Sequence, residues 1–173
     1  DLLRLAKADA ARTDLHKTDI RISALVTQGI DSFRNRFEAK KLNVKTQLLD
    51  DADQLPADPD KLSQVVTNLL QNAWQYTPSG GTVRIYTESL PGELKVVFAN
   101  TGGELSEKDL PFIFERFYRV DKARSRELGG TGLGLAIVKH IIERHRGRLT
   151  FESELGKGTT VHVLLPVAVD SLS

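Results

Sequence analysis

The sequence contains no cysteine and no methionine among its 173 residues. Without cysteine, the chain has no disulfide scaffold and no thiolate that could ligate a metal or act as a nucleophile. The absence of methionine predicts that the sequence is a piece of a longer protein, because a complete natural chain begins with that residue. The formal net charge is only +1. This argues against nucleic acid as the main partner, because a phosphate backbone is usually met by a strongly basic face.

Long apolar runs are also lacking, and no segment reaches the length needed to cross a bilayer. What is present is the composition of an ordinary globular protein, with 40% hydrophobic and 27% charged residues. A chain of this length can bury one good core, which predicts one domain with a short appendage.

Apolar spacing predicts the order of the secondary structure elements. Helices are expected over residues 22–37, 59–76 and 133–146, with a short one at 110–117, and strands over residues 15–20, 42–48, 82–89, 94–100, 148–154 and 160–165. Asp58 followed by Pro59 is a strong helix start. This order predicts the α+β class: a two-layer sandwich with helices on one face of a mixed, mostly antiparallel sheet.

A glycine-rich stretch, GGTGLGL at residues 129–135, opens the last helix. Closely spaced glycines let backbone N–H groups approach an anion, and the helix presents its positive end to the same place. The stretch therefore predicts a phosphate site, the alternative being a flexible loop before a helix.

Polar side chains recur every four residues along the helix that starts at Pro59, and therefore stack on one face. They are Gln64, Asn68, Asn72 and Tyr76. Asparagine carbonyl oxygens suit a hard cation such as Mg²⁺ whose charge is balanced by phosphates. The alternative is a solvated helix face.

Asn100 ends a strand whose residues of the same parity are apolar, so its side chain is expected to point inwards. A buried polar group needs a partner, and an adenine edge would supply one. The alternative is an asparagine that stabilises a turn. Farther along, residues 112–127 (FIFERFYRVDKARSRE) interleave aromatic anchors with basic side chains, as in a lid over a polyphosphate or in an exposed surface loop.

Together these motifs resemble the catalytic ATP-binding domain of bacterial sensor histidine kinases. The matching segments are QVVTNLLQNA at residues 64–73, the strand-end NTG at 100–102, FERFYR at 114–119, GTGLG at 130–134 and GKGT at 156–159. The resemblance covers nearly the whole chain, and the order and spacing of the motifs make it specific. It implies the Bergerat α/β sandwich shared with gyrase, mismatch-repair and chaperone ATPases.

The resemblance also implies the roles of individual residues. Asn72 and Asn68 would hold Mg²⁺, and catalysis would depend on Asn68, Arg116 and Arg119. ATP would be bound by Asn68, Asn72, Tyr76, Asn100, Gly102, Lys122, Arg124, Gly130, Thr131, Gly132, Leu133, Gly134 and Thr159.

The implied function is transfer of the ATP γ-phosphoryl group to a histidine on a dimerisation domain, and from there to a response regulator. Residues 1–10 would be the end of the dimerisation helix, residues 11–168 the catalytic domain and residues 169–173 a tail. The whole protein would be a homodimeric inner-membrane sensor with this part in the cytoplasm, whereas the fragment alone would be monomeric.

Three positions depart from the family pattern, which has Asp at Asn100, Gly at Glu104 and commonly a basic residue at Gln75. These departures favour an alternative, in which the chain is a degenerate regulatory or scaffold module that binds nucleotide weakly or not at all. A free-standing ATPase is disfavoured, because related ATPases carry a glutamate base where this chain has Asn68. The four histidines show no metal-ligand spacing and are expected to be structural or surface residues.

Overall fold

The computed structural model of the chain describes residues 15–49, 54–101, 134–154 and 158–167. Within these ranges the helices are α1 (Ile22–Ala39), α2 (Pro59–Tyr76) and α3 (Gly134–Arg144). The strands are β1 (Thr18–Arg21), β2 (Asn43–Gln47), β3 (Gln54–Ala57), β4 (Thr82–Leu90), β5 (Glu93–Asn100), β6 (Arg148–Glu154) and β7 (Gly158–Pro166). None of the described helices is long and apolar enough to span a membrane.

Each helix buries an apolar stripe spaced at three and four residues. In α1 this stripe consists of Ile22, Val26, Ile30, Phe33 and Phe37. The stripe of α2 is longer, and α3 contributes a shorter one. Because a stripe of this width faces one direction only, the three helices pack on a common core and leave their polar sides outward.

Five strands form one sheet in the order β2-β4-β5-β7-β6. β2 and β4 are parallel, and the other neighbouring pairs are antiparallel. Parallel strands need a crossover connection, and the chain between β2 and β4 supplies it with α2. β1 and β3 form a separate antiparallel pair.

The core lies between the helices and one face of the sheet. Alternate residues of β4 and β5, such as Val83, Ile85, Val96 and Phe98, belong to the same buried cluster as the helix stripes. Burying a side chain of this kind contributes about 1.5–3 kcal/mol. The α+β sandwich with a mixed, mostly antiparallel sheet is confirmed.

The differences from the expected elements are local. α2 has the predicted bounds. It begins at Pro59 because the Asp58 side chain caps it, accepting hydrogen bonds from the amides of Asp60 and Lys61. β3 was not predicted, and β1 begins at Thr18 rather than at residue 15. The predicted helix at residues 110–117 lies outside the described residues.

Candidate functional site

The face of α2 that carries Gln64, Asn68, Asn72 and Tyr76 is called the open face below. All four residues are half-buried, and they lie beside the buried apolar stripe of the helix. The stack expected from their spacing is therefore formed by a regular helix, which packs against both α1 and α3.

Asn68 carries an unsatisfied polar atom. Its side-chain Nδ2 is buried and has no hydrogen-bond partner within the part of the chain that the structure describes. Leaving such a donor unpaired costs about 1–3 kcal/mol. An anionic oxygen would satisfy it, and the Oδ1 atoms of Asn68 and Asn72 are of the type that a hard cation accepts as ligands. These residues therefore fit a phosphate group accompanied by Mg²⁺.

Asn100 lies at the end of β5, opposite Val83 of β4 and Thr159 of β7. It is half-buried, and Thr159 beside it is 9% exposed. The Asn100 side-chain Nδ2 donates to the backbone oxygen of Thr101 at 3.4 Å. This bond is of the local kind that a turn-stabilising asparagine makes, and its length makes it weak. Two residues predicted to bind nucleotide are thus neighbours across the sheet.

Gly158 lets β7 approach β5 at this point. Its φ is +116°, and a Cβ atom built on it would lie 2.0 Å from the backbone oxygen of Asn100. No side chain fits in that space, since real Cβ contacts shorter than 3.0 Å are essentially never seen. The glycine is therefore needed by the backbone that positions Asn100 and Thr159.

Gly134 is the first residue of α3, and a Cβ atom added there would meet no described atom within 4 Å. The other predicted site residues lie outside the described residues, and their roles stay predictions. They are Gly102, Arg116, Arg119, Lys122, Arg124, Gly130, Thr131, Gly132 and Leu133.

The first residues of α2 meet the end of α3 in a cluster called the closed end below, formed by His16, Asp58 and His145. The Asp58 side chain accepts from the backbone N–H of His16 at 3.1 Å, besides capping α2. The Asp58 backbone N–H donates to Nε2 of His145 at 3.0 Å, and Nδ1 of His145 lies 2.9 Å from the carbonyl oxygen of Ile141. Both ring nitrogens of a histidine that is 2% exposed therefore have partners.

The closed end shifts the pKa of two groups. Burial lowers the pKa of His145 below 6.5, and the hydrogen bond to Ile141 opposes this change. Burial acts to raise the pKa of Asp58, but the amides that donate to its carboxylate outweigh that effect and hold the pKa below 3.8. At neutral pH the ring is thus neutral and the carboxylate ionised.

The closed end also fixes how α2 and α3 are aligned. Because the start of α2 meets the end of α3 and the two helices pack along one another, they run antiparallel. With a rise of about 1.5 Å per residue, the start of α3 lies about 16 Å from His145. The same distance along α2 from Asp58 reaches the turn that carries Asn68. Along this helix pair, Gly134 therefore lies level with Asn68 of the open face.

Two contacts between distant parts of the chain carried no signal in the sequence. Lys40, which follows α1, places its ammonium group on the carbonyl oxygens of Trp74 and Gln75 in the last turn of α2, and 5.4 Å from the centre of the Trp74 ring. A cation stabilises a helix end in this position. Neither this contact nor the bond between Asp58 and His145 follows from local sequence, because each joins distant parts of the chain.

The expectation that the histidines are structural or surface residues fits the described chain, although two lie outside their predicted elements. His16 precedes β1, and His145 follows the last residue of α3. Nε2 of His162 lies 3.6 Å from a carboxylate oxygen of Glu152. Among the described residues no three His, Asp or Glu side chains form a group that could hold a metal ion.

Comparison with known proteins agrees with this geometry. The family of histidine kinase-, DNA gyrase B- and HSP90-like ATPases matches residues 57–169. The sensor histidine kinase WalK of Bacillus subtilis is 38% identical over 169 residues, which are 96% of this chain and 27% of that protein. The sensor protein kinase WalK of Staphylococcus aureus is 34% identical over 171 residues, 98% of this chain and 41% of that protein. The chain thus spans less than half the length of these relatives.

The structure gives the same result. It matches the full-length histidine kinase ShkA, solved in complex with AMPPNP, with a TM-score of 0.83 and 26% identity, over 98% of this chain and 35% of that one. The sequence match extends through α2, β4, β5, α3 and β7, the elements that carry the open face, Asn100, Gly134 and Thr159. On these grounds the chain belongs to the histidine kinase-, DNA gyrase B- and HSP90-like ATPase family.

Proposed function

We propose that this chain is the catalytic ATP-binding unit of a sensor histidine kinase. It would bind ATP with Mg²⁺ and present the γ-phosphoryl group to a histidine of the protein's own dimerisation domain. The observation that carries the proposal is the buried amide donor of Asn68, which has no partner among the described residues and lies on the helix face where the family places its phosphates. The similarity to two sensor kinases supports the choice of acceptor.

In the proposed reaction a nitrogen of the acceptor histidine attacks the γ-phosphorus of ATP. A P–N bond forms, the bond from phosphorus to the bridging oxygen breaks, and ADP leaves with the electron pair. When bound, Mg²⁺ neutralises phosphate charge. Phosphoryl transfer needs positioning and charge neutralisation more than covalent help from the protein, and these are what the open face would provide through Asn68 and Asn72.

The nature of residue 68 favours transfer over hydrolysis. Activation of water calls for a base within hydrogen-bond reach of it, and an asparagine amide cannot take up a proton at neutral pH. The related ATPases have a glutamate at the position of Asn68. We therefore infer that this site holds ATP intact until the acceptor histidine reaches it.

The remaining contacts are proposed as follows. The pair Asn100 and Thr159 would contact the adenine, and Tyr76 would pack beside the nucleotide. The glycine backbone before α3 would hold phosphate together with Arg116, Arg119, Lys122 and Arg124. Residues 11–168 would form the catalytic domain, between the end of the dimerisation helix at 1–10 and a tail at 169–173.

The same assignment proposes the setting of the whole protein. It would be a homodimeric membrane-anchored sensor, with this domain in the cytoplasm and with a response regulator as the next phosphate acceptor. The 173-residue chain alone would be a monomer.

Calorimetric titration of the chain with ADP and with a nonhydrolysable ATP analogue, with and without Mg²⁺, tests the proposal. Micromolar binding that depends on Mg²⁺ is expected. Asn68→Ala and Asn72→Ala should each weaken it by about tenfold or more, because each removes contacts to charged groups. Thr67→Ala, which alters an exposed residue of the same helix, is the matched control and should bind as the unaltered chain does.

Two results would contradict the proposal. One is binding that Asn68→Ala and Asn72→Ala leave unchanged. The other is the absence of binding by the unaltered chain together with its appearance in Asn100→Asp. The second result would favour a degenerate module that keeps the fold but no longer binds nucleotide.

A further inference from the structure

The bond between Asp58 and His145 joins the start of α2 to the end of α3, about 15 Å along α2 from Asn68 of the proposed site. It joins residues 87 positions apart and is buried. The start of α2 and the end of α3 are thus joined through a backbone N–H and a ring nitrogen. Gly134, at the other end of α3, lies level with Asn68 of the open face.

We propose that His145 is a positioning residue for the nucleotide site: its neutral ring ties the end of α3 to the start of α2, keeps Gly134 aligned with the open face, and releases this alignment when the ring takes up a second proton. The inference rests on the proposed nucleotide site and adds to it a residue remote from the nucleotide. His145 itself would touch neither phosphate nor base.

Only one protonation state of the ring fits its surroundings. The carbonyl oxygen of Ile141 can only accept, so Nδ1 of His145 carries the proton and donates. The backbone N–H of Asp58 can only donate, so Nε2 must be the bare acceptor. A second proton would enter at Nε2 and place two N–H donors against each other. The ring therefore binds α2 in the neutral state and loses that bond in the charged state.

Several groups face the ring from the elements around it. The Asp58 carboxylate at the start of α2 favours the charged ring, whereas Lys17 before β1 and Arg144 of α3 disfavour it. Burial is the main reason that the pKa of His145 lies below its ordinary value of 6.5, and the two cations add to its effect. The stabilisation from the neutral ring is fully present above about pH 6.5 and is lost as the pH falls through the lower pKa of the folded state.

The rigidity of α3 connects this bond to the site. α3 is a single helix of 11 residues without an internal proline, so a shift at its last turn is passed along its length. The backbone groups at its start are those that the family motif would aim at phosphate. Misalignment lowers the fraction of molecules able to bind, and the apparent affinity falls by the same factor.

The test compares the unaltered 173-residue chain with three variants by titration with Mg-ADP from pH 7.5 to pH 4.5. His145→Gln keeps an acceptor near the position of Nε2 but does not titrate, whereas His145→Leu removes the acceptor. His16→Gln is the control, because that side chain is exposed and only its backbone contacts Asp58. The titration of the nucleotide itself is common to all four proteins and cancels in the comparison.

The unaltered chain and His16→Gln are expected to lose about threefold to tenfold more affinity than His145→Gln over this range. The loss should follow the protonation of the His145 ring measured by NMR. His145→Leu should bind about threefold to tenfold more weakly than the unaltered chain already at pH 7.5, while remaining folded. Equal pH dependence in His145→Gln and the unaltered chain, or full affinity in His145→Leu, would overturn the inference.

A second readout needs no nucleotide and separates this inference from the proposed function. Backbone amide signals of Asp58 and of Leu135, at the far end of α3, should shift together as the unaltered chain is acidified and stay still in His145→Gln. If none of the proteins binds Mg-ADP, the proposed function fails, and these signals alone decide the inference. If only the amide signals of residues next to His145 shift, the bond acts locally and does not position Gly134, which would overturn the inference.

Discussion

The two halves of α2 treat buried polar groups in opposite ways. At the closed end, the Asp58 carboxylate accepts from three backbone amides, and both nitrogens of the His145 ring have partners. On the open face, the amide of Asn68 is buried with no hydrogen-bond partner among the described residues. The start of the helix therefore carries a saturated cluster, in which these polar groups have hydrogen-bond partners. Its second half carries an unsaturated group, which has none among the described residues.

The difference distinguishes groups that stabilise the fold from a group that we propose binds a ligand. A saturated cluster loses stability when any member is removed, because the partners left behind stay buried. An unsaturated group costs stability in the absence of its ligand, so its removal should be harmless to the fold and harmful to binding. Burial alone would not have distinguished the two.

The largest effect is expected at Gly158, where the backbone of β7 approaches that of β5 closely. Gly158→Ala forces a Cβ atom against the carbonyl of Asn100 and strains a backbone with φ of +116°. We expect it to lower the free energy of unfolding by about 3 kcal/mol, measured by urea denaturation. Gly92→Ala shares the positive φ but meets no atom within 4 Å, and should cost about 1 kcal/mol. Equal losses of stability in Gly158→Ala and Gly92→Ala would show that β7 can move away from the Asn100 carbonyl at little cost.

An intermediate effect is expected at the closed end. Asp58→Ala removes the cap of α2 and the acceptor for the His16 amide, and should lower the free energy of unfolding by about 1–2 kcal/mol. Asp58→Asn keeps one acceptor oxygen and should cost less than 1 kcal/mol. The same denaturation experiment measures both variants. If Asp58→Ala leaves the free energy of unfolding unchanged, the hydrogen bonds accepted by the Asp58 side chain contribute nothing to stability.

The smallest effect on stability, and the sharpest contrast with Asp58, is expected for Asn68→Ala. It removes an unsatisfied donor and replaces asparagine with a better helix former, so that the free energy of unfolding should change by less than about 0.5 kcal/mol or rise. Thermal denaturation of this variant beside Thr67→Ala measures the effect. A cost above about 1 kcal/mol would show that the amide is satisfied within the protein, and the contrast between the two halves of α2 would disappear.

Elements with local signals were the ones that the sequence predicted well. The cap residue and the proline after it defined α2 from its first residue, and the alternation of β5 predicted the buried residues Leu94, Val96 and Phe98. β3 was missed because its four residues, QLPA, include a proline and become a strand only by pairing with β1. Pairing between distant segments leaves no periodicity to detect.

The candidate site divides in the same way. The stack from Gln64 to Tyr76 follows from helical spacing, and the structure supplies the helix. The bond from Asp58 to His145 could not be predicted, because its donor is a backbone N–H that every residue except proline possesses. Sequence motifs thus identify the groups that would touch a ligand, whereas the contacts that align them are set by tertiary packing.

The position of β7 has a consequence for synthesis of the chain. It is the last described strand along the sequence, yet it lies inside the sheet, between β5 and β6. At about 5–20 residues per second, the ribosome needs several seconds after completing β5 to deliver its second neighbour. During that time the hairpin of β4 and β5 has an open row of backbone donors and acceptors, which is a template for aggregation. A nascent chain of this protein should therefore be most vulnerable to aggregation, and most in need of a chaperone, in the interval between these two strands.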